Sequence, residues 1–377
     1  MKHIPGHASV HWVCIIALII LAGCDSGSLT TENPMEAPEG AASPDKISGP
    51  YTHANLAVYL IQGKDRLKEK KYLTLQEGMD QKMVVVHETG NVNELAIENL
   101  SGTEDIYVQS GDIVKGGKQD RVLAFDFIVP KSSGKMPISS FCVENGRWQQ
   151  RGNEAGNVFA SSNDQLASKN AKLAAKGSAL VETAGTVQIQ TLQNQGVAVS
   201  GLPQSGQSAV WAQVAEAQGK LSKNCGGNVQ SDQSASSMQL TLEDKKVQGT
   251  TAEYIDKLAG IVNEKESVIG FVFAINGKIN NADTYASSAL FKKLWPKLLK
   301  ASAVEAVAEL QADTKIVMPD AVAVQTWMTE AQKGKCVEKE VSNRVKMISR
   351  RSAKTYQFDT LDKESDIVIH QNCITSE

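Results

Sequence analysis

The sequence predicts an α+β protein. An N-terminal antiparallel β-rich part, a sandwich or an open barrel, precedes a helix-rich part that carries a β-hairpin and ends in strands. Three observations support this. Short apolar or alternating runs separated by Gly, Asn and charged residues fill the stretch from Tyr51 to Trp148. From Gln207 onward apolar residues recur at helical spacing. Asn276-Gly277 stands between two strand-like runs, and a type I′ hairpin turn needs positive φ at both central positions.

The chain opens on a weakly cationic start with Lys2 and several histidines, followed by VCIIALIILAG (Val13 to Gly23). This run is the length of a signal-peptide core and too short for a comfortable transmembrane span. It ends in Leu21-Ala22-Gly23-Cys24, which resembles the bacterial lipobox, where the cysteine is lipidated and becomes the mature N-terminus. An ordinary cleaved signal peptide is the alternative. Acyl chains on Cys24 would anchor the chain in a lipid bilayer, each buried methylene contributing about 0.8 kcal/mol. Asp25 resembles an inner-membrane retention signal. The expected location is therefore the cell envelope, lipid-anchored and facing the periplasm, with the inner membrane favoured. Residues 24–50 are rich in Ser, Thr, Pro, Glu, Ala and Gly and read as a flexible tether. The expected division is 1–23 signal, 24–50 tether, 51–155 β-rich and motif-bearing, and 156–377 an α+β region packed on it.

Within the β-rich part the expected strands are ANLAVYLIQG, YLTLQEG, MVVVHET, ELAIENL, IYVQSG, RVLAFDFIVP and ISSFCVE. Helices are expected over about Asp164 to Ala175 and over Gln207 to Leu221, the latter with Val210, Trp211, Val214 and Leu221 on one stripe. Another is expected to open at Thr250 with Glu253 in capping-box spacing. Pro296 should kink SSALFKKLWPKLLKASAVEAVAEL or restart it. DAVAVQTWMTEAQKG should be a helix closed by Gly334, before strands NRVKMISRR, KTYQFDTL and DIVIHQN.

A formal net charge of -3 gives no basis for a nucleic-acid partner. Beyond the leader the histidines are His53, His87 and His370, with no close pair, and no C-x-x-C occurs, so no metal is expected. Cys142, Cys225, Cys336 and Cys373 allow three pairings, among which sequence cannot choose. G-x-S-x-G, H-E-x-x-H and Rossmann motifs are absent, and no cofactor is expected.

Two polar knots stand out, GGKQDR (Gly116 to Arg121) and CVENGRW (Cys142 to Trp148), separated by the apolar run VLAFDFIVP. In the first, glycines allow close approach of a ligand, Lys118 and Arg121 supply cations and Gln119 an amide. It is not a nucleotide P-loop, because Gln119 stands where a magnesium-coordinating Ser or Thr should be. A solvated Gly-Gly turn is the alternative. In the second knot, Cys142 and Glu144 would share one strand face, opposite Phe141 and Val143. They could serve as nucleophile and base if Arg121 or Arg147 lowered the thiol pKa. A disulfide or buried thiol for Cys142, an ion pair for Glu144 and a core role for Trp148 are the alternatives.

These knots resemble a bacterial and archaeal domain family named for its association with ADP-ribosylglycohydrolases and rhodanese-phosphatases. Further resemblance lies in the Gln207 to Val214 helix start with Trp211, the AINGKI hairpin with Asp283, and FKKLWPKLLKASAVEA, together covering most of about Tyr51 to Gln311. Gly116, Gly117, Lys118, Gln119 and Arg121 match the first motif. Cys142, Glu144, Gly146, Arg147 and Trp148 match the second. Asp120 departs from the Asn more usual there. The resemblance implies a role near NAD or ADP-ribose metabolism, without an assigned reaction. Two functions are expected in competition. One is a site in which Lys118, Arg121 and Arg147 hold a small anionic or nucleotide-like ligand, Glu144 acts as acid or base and Trp148 packs on a ring. The other is a non-catalytic envelope scaffold or partner-binding lipoprotein.

Overall fold

Two strands from the start of the chain and six from its second half make one antiparallel sheet. Its order is β1 (Lys46–His53), β2 (Leu56–Gln62), β12 (Val268–Ile275), β13 (Lys278–Tyr285), β17 (Ile367–Thr375), β16 (Thr355–Asp362), β15 (Val345–Arg351) and β14 (Lys335–Glu340). The computed structural model describes residues 46–183, 206–311, 315–333 and 335–376, without the side chains of 178–183 and 335. The proposed signal, Cys24 and Gly334 lie outside these residues. Strand β1 begins at Lys46, five residues before the expected start of folded sequence, because Lys46, Ile47 and Ser48 already pair with β2.

The central strands are buried on both faces. Every residue of β12 is buried, and so are six of the seven in β2, which explains their unbroken apolar runs. Asn276 and Gly277 both have positive φ (52° and 79°), and Ile275 pairs with Lys278, so the hairpin forms as the Asn-Gly signal predicts. At Gly270 a β-carbon would lie 2.2 Å from the Asp283 carbonyl oxygen, so only glycine lets β12 and β13 approach there.

A second, six-stranded sheet has the order β11 (Phe159–Ala160), β7 (Ile113–Gly116), β8 (Arg121–Leu123), β10 (Met136–Cys142), β5 (Glu94–Asn99) and β4 (Val84–Asn91). A bridge between His87 and Val158, with Glu88 N donating to the Asn157 carbonyl at 3.0 Å, brings its edges together into a nearly closed barrel. Val86, Leu95, Ile97, Val114, Leu123, Ile138 and Phe159 fill it. A small third sheet holds β3 (Tyr72–Thr74), β6 (Asp105–Val108) and β9 (Phe127–Val129), in which β3 runs parallel to β6.

Several local expectations change. YLTLQEG is a short strand that turns into helix α1 (Leu75–Asp80), since Thr74 and Glu77 form a capping box. RVLAFDFIVP is two strands, β8 and β9, not one. The Asp126 carboxylate between them turns inward to accept from Ser110 N at 2.7 Å, which interrupts the ladder. Helix α2 (Lys169–Thr183) starts five residues after Asp164, because Gln165 bridges Asp112 and Leu166 N donates to the Gly111 carbonyl.

Helix α3 (Gln207–Asn224) buries Val210, Val214 and Leu221 of the expected stripe, while Trp211 is only half-buried. The short helix α4 (Met238–Leu242) leads into α5 (Lys245–Leu258), which starts at an Asp244 cap. Thr250 lies inside α5, its hydroxyl donating to the Lys246 carbonyl, so it opens nothing. Helix α6 (Ser288–Ala308) runs through Pro296 without a new start, held on both sides by buried Leu294, Trp295, Leu298 and Leu299. These helices share one large core with the inner face of the eight-stranded sheet. Helix α7 (Ala321–Ala331) covers the other face through Val324, Met328 and Ala331 against Ala57, Tyr59 and Ile61.

Candidate ligand site at the two knots

The first knot is the turn between β7 and β8, and the second leaves the end of β10. Strands β8 and β10 pair antiparallel with Cys142 opposite Arg121, so the ladder register sets the two knots side by side. Gly116 and Gly117 adopt φ of 112° and 55°. A β-carbon on Gly117 would meet the Phe159 ring at 2.4 Å, so the turn closes on that ring only as glycine.

The turn holds anions, but they belong to the protein. Gly116 N donates to Asp120 Oδ1 at 2.9 Å and Lys118 N to Glu88 Oε2 at 3.1 Å, while Gly117 N donates to the Ala155 carbonyl. Asp120 and Glu144 are fully buried. Arg151 forms a fork on Asp120 at 2.9 and 3.0 Å, and Ser237 Oγ donates to the same carboxylate at 2.7 Å. Arg147 forms a second fork on Glu144, Nε to Oε1 at 2.7 Å and Nη2 to Oε2 at 2.6 Å. Asp120 N donates to Glu144 Oε2 at 3.0 Å. The remaining Arg147 bonds go to the carbonyls of Gly116, Gly117 and Gln149. Burial would raise the Glu144 pKa, but the bonds from Arg147, Ser234 and the Asp120 N–H outweigh it and hold the carboxyl below its ordinary value.

Gln119 turns inward as well, its Nε2 donating to the Glu144 carbonyl at 2.9 Å. Trp211 Nε1 donates to that carbonyl at 3.2 Å. Gln207 pairs with Cys142 as a neighbouring strand would, accepting from its N–H at 2.8 Å and donating to its carbonyl at 2.7 Å. The start of α3 therefore locks the second knot. Phe141 and Val143 face the large core. Cys142 is a buried thiol, not a disulfide. Its sulfur accepts from Arg121 Nη1. Burial pushes the thiol up, Arg121 offsets this only in part, and the pKa stands at about 11.

Three of the expected site residues make a different arrangement. Trp148 is 44% exposed, with Lys118 Nζ 5.1 Å and Arg121 Cζ 5.4 Å from its ring centroid. Arg121 is fully buried, and its Nε and Nη2 have no hydrogen-bond partner, although Glu88 Oε2 lies 3.6 Å from Nη2. Arg147 and Gln149, the chain neighbours of Trp148, line an open groove of about 820 Å³ with Gln150, Arg151, Glu154 and Gln233. Glu88, Arg151 and Ser237 escaped the sequence reading, since each comes from a segment distant from the knots or outside both motifs.

A second polar cluster was also missed. On the inner sheet face, His370 Nδ1 lies 2.6 Å from Asp126 Oδ2 and Nε2 lies 3.0 Å from Asp283 Oδ1. The ring stacks on Tyr285 at 4.4 Å. Asn372 bonds to Asp283 at 3.0 Å and accepts from buried Lys176 Nζ at 2.8 Å. The carboxylates sit on opposite edges of the imidazole, so they clamp it and do not converge on one point. Asp126 and His370 each interrupt an apolar run, FDF and IVIH, and a lone charge in such a run was the available signal.

Residues 46–374 of the chain match the ARG and Rhodanese-Phosphatase-superfamily-associated Protein domain. No curated protein and no solved structure matches it. With most of its length covered by that match, and with the two knots joined across one strand ladder, the chain belongs to the ARG and Rhodanese-Phosphatase-superfamily-associated Protein domain family.

Proposed function

We propose that the protein is an envelope lipoprotein, tethered by an acylated Cys24 to the inner membrane and facing the periplasm, whose Trp148 face binds an anionic ligand carrying a flat ring, such as ADP-ribose or a nucleotide. The observation that carries this is the half-open Trp148 ring with Lys118 and Arg121 both within cation–π range. The ring offers a stacking surface, Lys118 a charge for a phosphate, and the adjoining groove room for the rest of the ligand. The family's association with ADP-ribosylglycohydrolases supports an ADP-ribose-related ligand. Binding is favoured over catalysis. Glu144 has both oxygens engaged by arginine, and the Cys142 thiol at about 11 is a poor nucleophile at neutral pH. The internal pairing of Asp120, Glu144 and Arg147 favours the second reading, a partner-binding lipoprotein in which the knots only hold the fold.

Thermal unfolding of the full-length protein in detergent, with ADP-ribose, NAD, nucleotides and sugar phosphates, separates the two. A ligand at a hundred times its Kd adds about 2.7 kcal/mol. The shift should vanish in Trp148→Ala and shrink in Lys118→Ala. If nothing shifts the wild type, the partner-binding reading stands. Labelled palmitate should enter the wild type and not Cys24→Ala; equal labelling would remove the anchor.

A further inference from the structure

Phe358 of β16, Asn372 of β17 and Asp283 of β13 are direct cross-strand partners, so their side chains form one row on the inner face of the eight-stranded sheet. Lys176 of helix α2 reaches onto this row. Its Nζ donates to Asn372 Oδ1 at 2.8 Å and lies 4.3 Å from the centre of the Phe358 ring. Asn372 Nδ2 donates to Asn281 Oδ1 at 2.7 Å, to Asp283 Oδ1 at 3.0 Å and to the Ala282 carbonyl at 3.2 Å. Asn281 Nδ2 in turn holds Asp283 Oδ2 at 2.6 Å, which fixes the carboxylate with Oδ1 on the amide nitrogen. Lys176 and Asn372 are each 4% exposed. An amine is thus held against a side-chain amide, beside a carboxylate and out of bulk water.

We propose that Lys176 and Asn372 join in an intramolecular isopeptide bond, with Asp283 as the catalytic carboxylate. The neutral Lys176 amine attacks Asn372 Cγ, and the Nζ–Cγ bond forms. The proton that the amine sheds passes to the Asp283 carboxylate, whose Oδ1 already touches Asn372 Nδ2, and from there to that leaving nitrogen. The Cγ–Nδ2 bond breaks and one ammonia departs. One amide is exchanged for another, and the step consumes neither oxidant nor reductant.

The surroundings suit this chemistry. Packing holds the reacting groups together, so no encounter has to be waited for. Burial lowers the Lys176 pKa from 10.5 to about 8, with Lys172 acting the same way and Asp126 and Asp283 opposing. Free amine is therefore present near neutral pH. Exclusion of water suppresses the competing hydrolysis of Asn372 to aspartate. His370 Nε2, 3.0 Å from Asp283 Oδ1, carries a positive charge that balances the carboxylate. The bond ties helix α2 to the last strand across a separation of 196 positions. It fastens the fold as a disulfide does, in a chain whose Cys142, Cys225, Cys336 and Cys373 are all free. In the linked chain Lys176 no longer titrates, so its alkaline contribution to stability belongs to the unlinked chain alone.

The test is mass spectrometry of the purified full-length protein, denatured and cut with trypsin. A linked Lys176 resists cleavage, so peptide 173–220 should appear joined to peptide 364–377, one ammonia lighter than their summed masses. On denaturing gels the wild type should run ahead of Lys176→Arg, because its loop stays closed. Asp283→Asn should leave the two segments unlinked. Complete cleavage after Lys176 together with a free 364–377 peptide in the wild type would overturn the proposal. Undiminished linkage in Asp283→Asn would overturn the role of the carboxylate. The wild-type peptide map needs no variant to fold.

Discussion

Two of the protein's buried ionic clusters are built on different chemistry. At the knots, Asp120 and Glu144 are forked by Arg147 and Arg151. On the inner sheet face, Asp126 and Asp283 clamp His370, with Lys176 nearby. Arginine keeps its charge at any pH at which the protein folds, and its planar fork fixes geometry. Histidine and lysine can lose theirs. The knot cluster is thus a rigid fastening for loops, whereas the sheet cluster ties stability to pH. The comparison also separates burial from function, since both clusters are closed by their own partners and the exposed ring of Trp148 lies beside the first.

The largest expected effect breaks the first cluster. Arg151→Ala leaves the buried Asp120 carboxylate without its fork, and losing one partner of a buried pair costs about 3–5 kcal/mol. Urea unfolding should show a lower midpoint with an unchanged slope. A loss below 1 kcal/mol would mean that water replaces the guanidinium easily, and the fastening role would fall.

The second effect sharpens the contrast through pH. Burial alone would lower the His370 pKa, but Asp126 and Asp283 outweigh it and raise it from 6.5 to about 9. The folded state then holds a proton that the unfolded chain releases. This stability is complete below pH 6.5 and is lost as pH rises to about 9, on the order of 3 kcal/mol. Lys176 acts the other way. Burial lowers its pKa from 10.5 to about 8, so rising pH restores stability between those values. The fall should be steepest between 6.5 and 8. His370→Gln should flatten that slope and Arg151→Ala should keep it; a slope equal in wild type and His370→Gln would contradict the clamp.

A smaller effect is kinetic. With a pKa of about 11, roughly one Cys142 in a thousand is thiolate at pH 8. Iodoacetamide should label half-buried Cys225 and Cys336 before Cys142, and reach Cys142 only on unfolding. Fast native labelling of Cys142 would restore its candidacy as a nucleophile. The smallest effect is on stability in Trp148→Ala, within about 0.5 kcal/mol because the ring is half open, although ligand-dependent stabilisation should disappear.

Much of the architecture was legible in local pattern. Asn276-Gly277 makes its hairpin because the turn chemistry is contained in two residues. The Gln207 helix buries Val210, Val214 and Leu221 because the 3.6-residue period sets them on one face. Thr74 with Glu77 was equally local, a capping box hidden inside an apolar run. The juxtaposition of the knots was legible only as a motif likeness, since the register that sets Cys142 against Arg121 is a property of the β8–β10 ladder.

Sequence by itself determined the α+β class, the hairpin, the main helical faces and the two segments that meet at Trp148, because propensity, turn chemistry and hydrophobic period act over a few residues. Tertiary structure alone decided which charges are internal. Arg151 reaches Asp120 from 31 residues away and His370 reaches Asp126 from 244. Nothing in the identity of an aspartate reveals whether its partner will be water, arginine or a ligand; the chain path chooses the partner, and burial then makes the choice energetically binding.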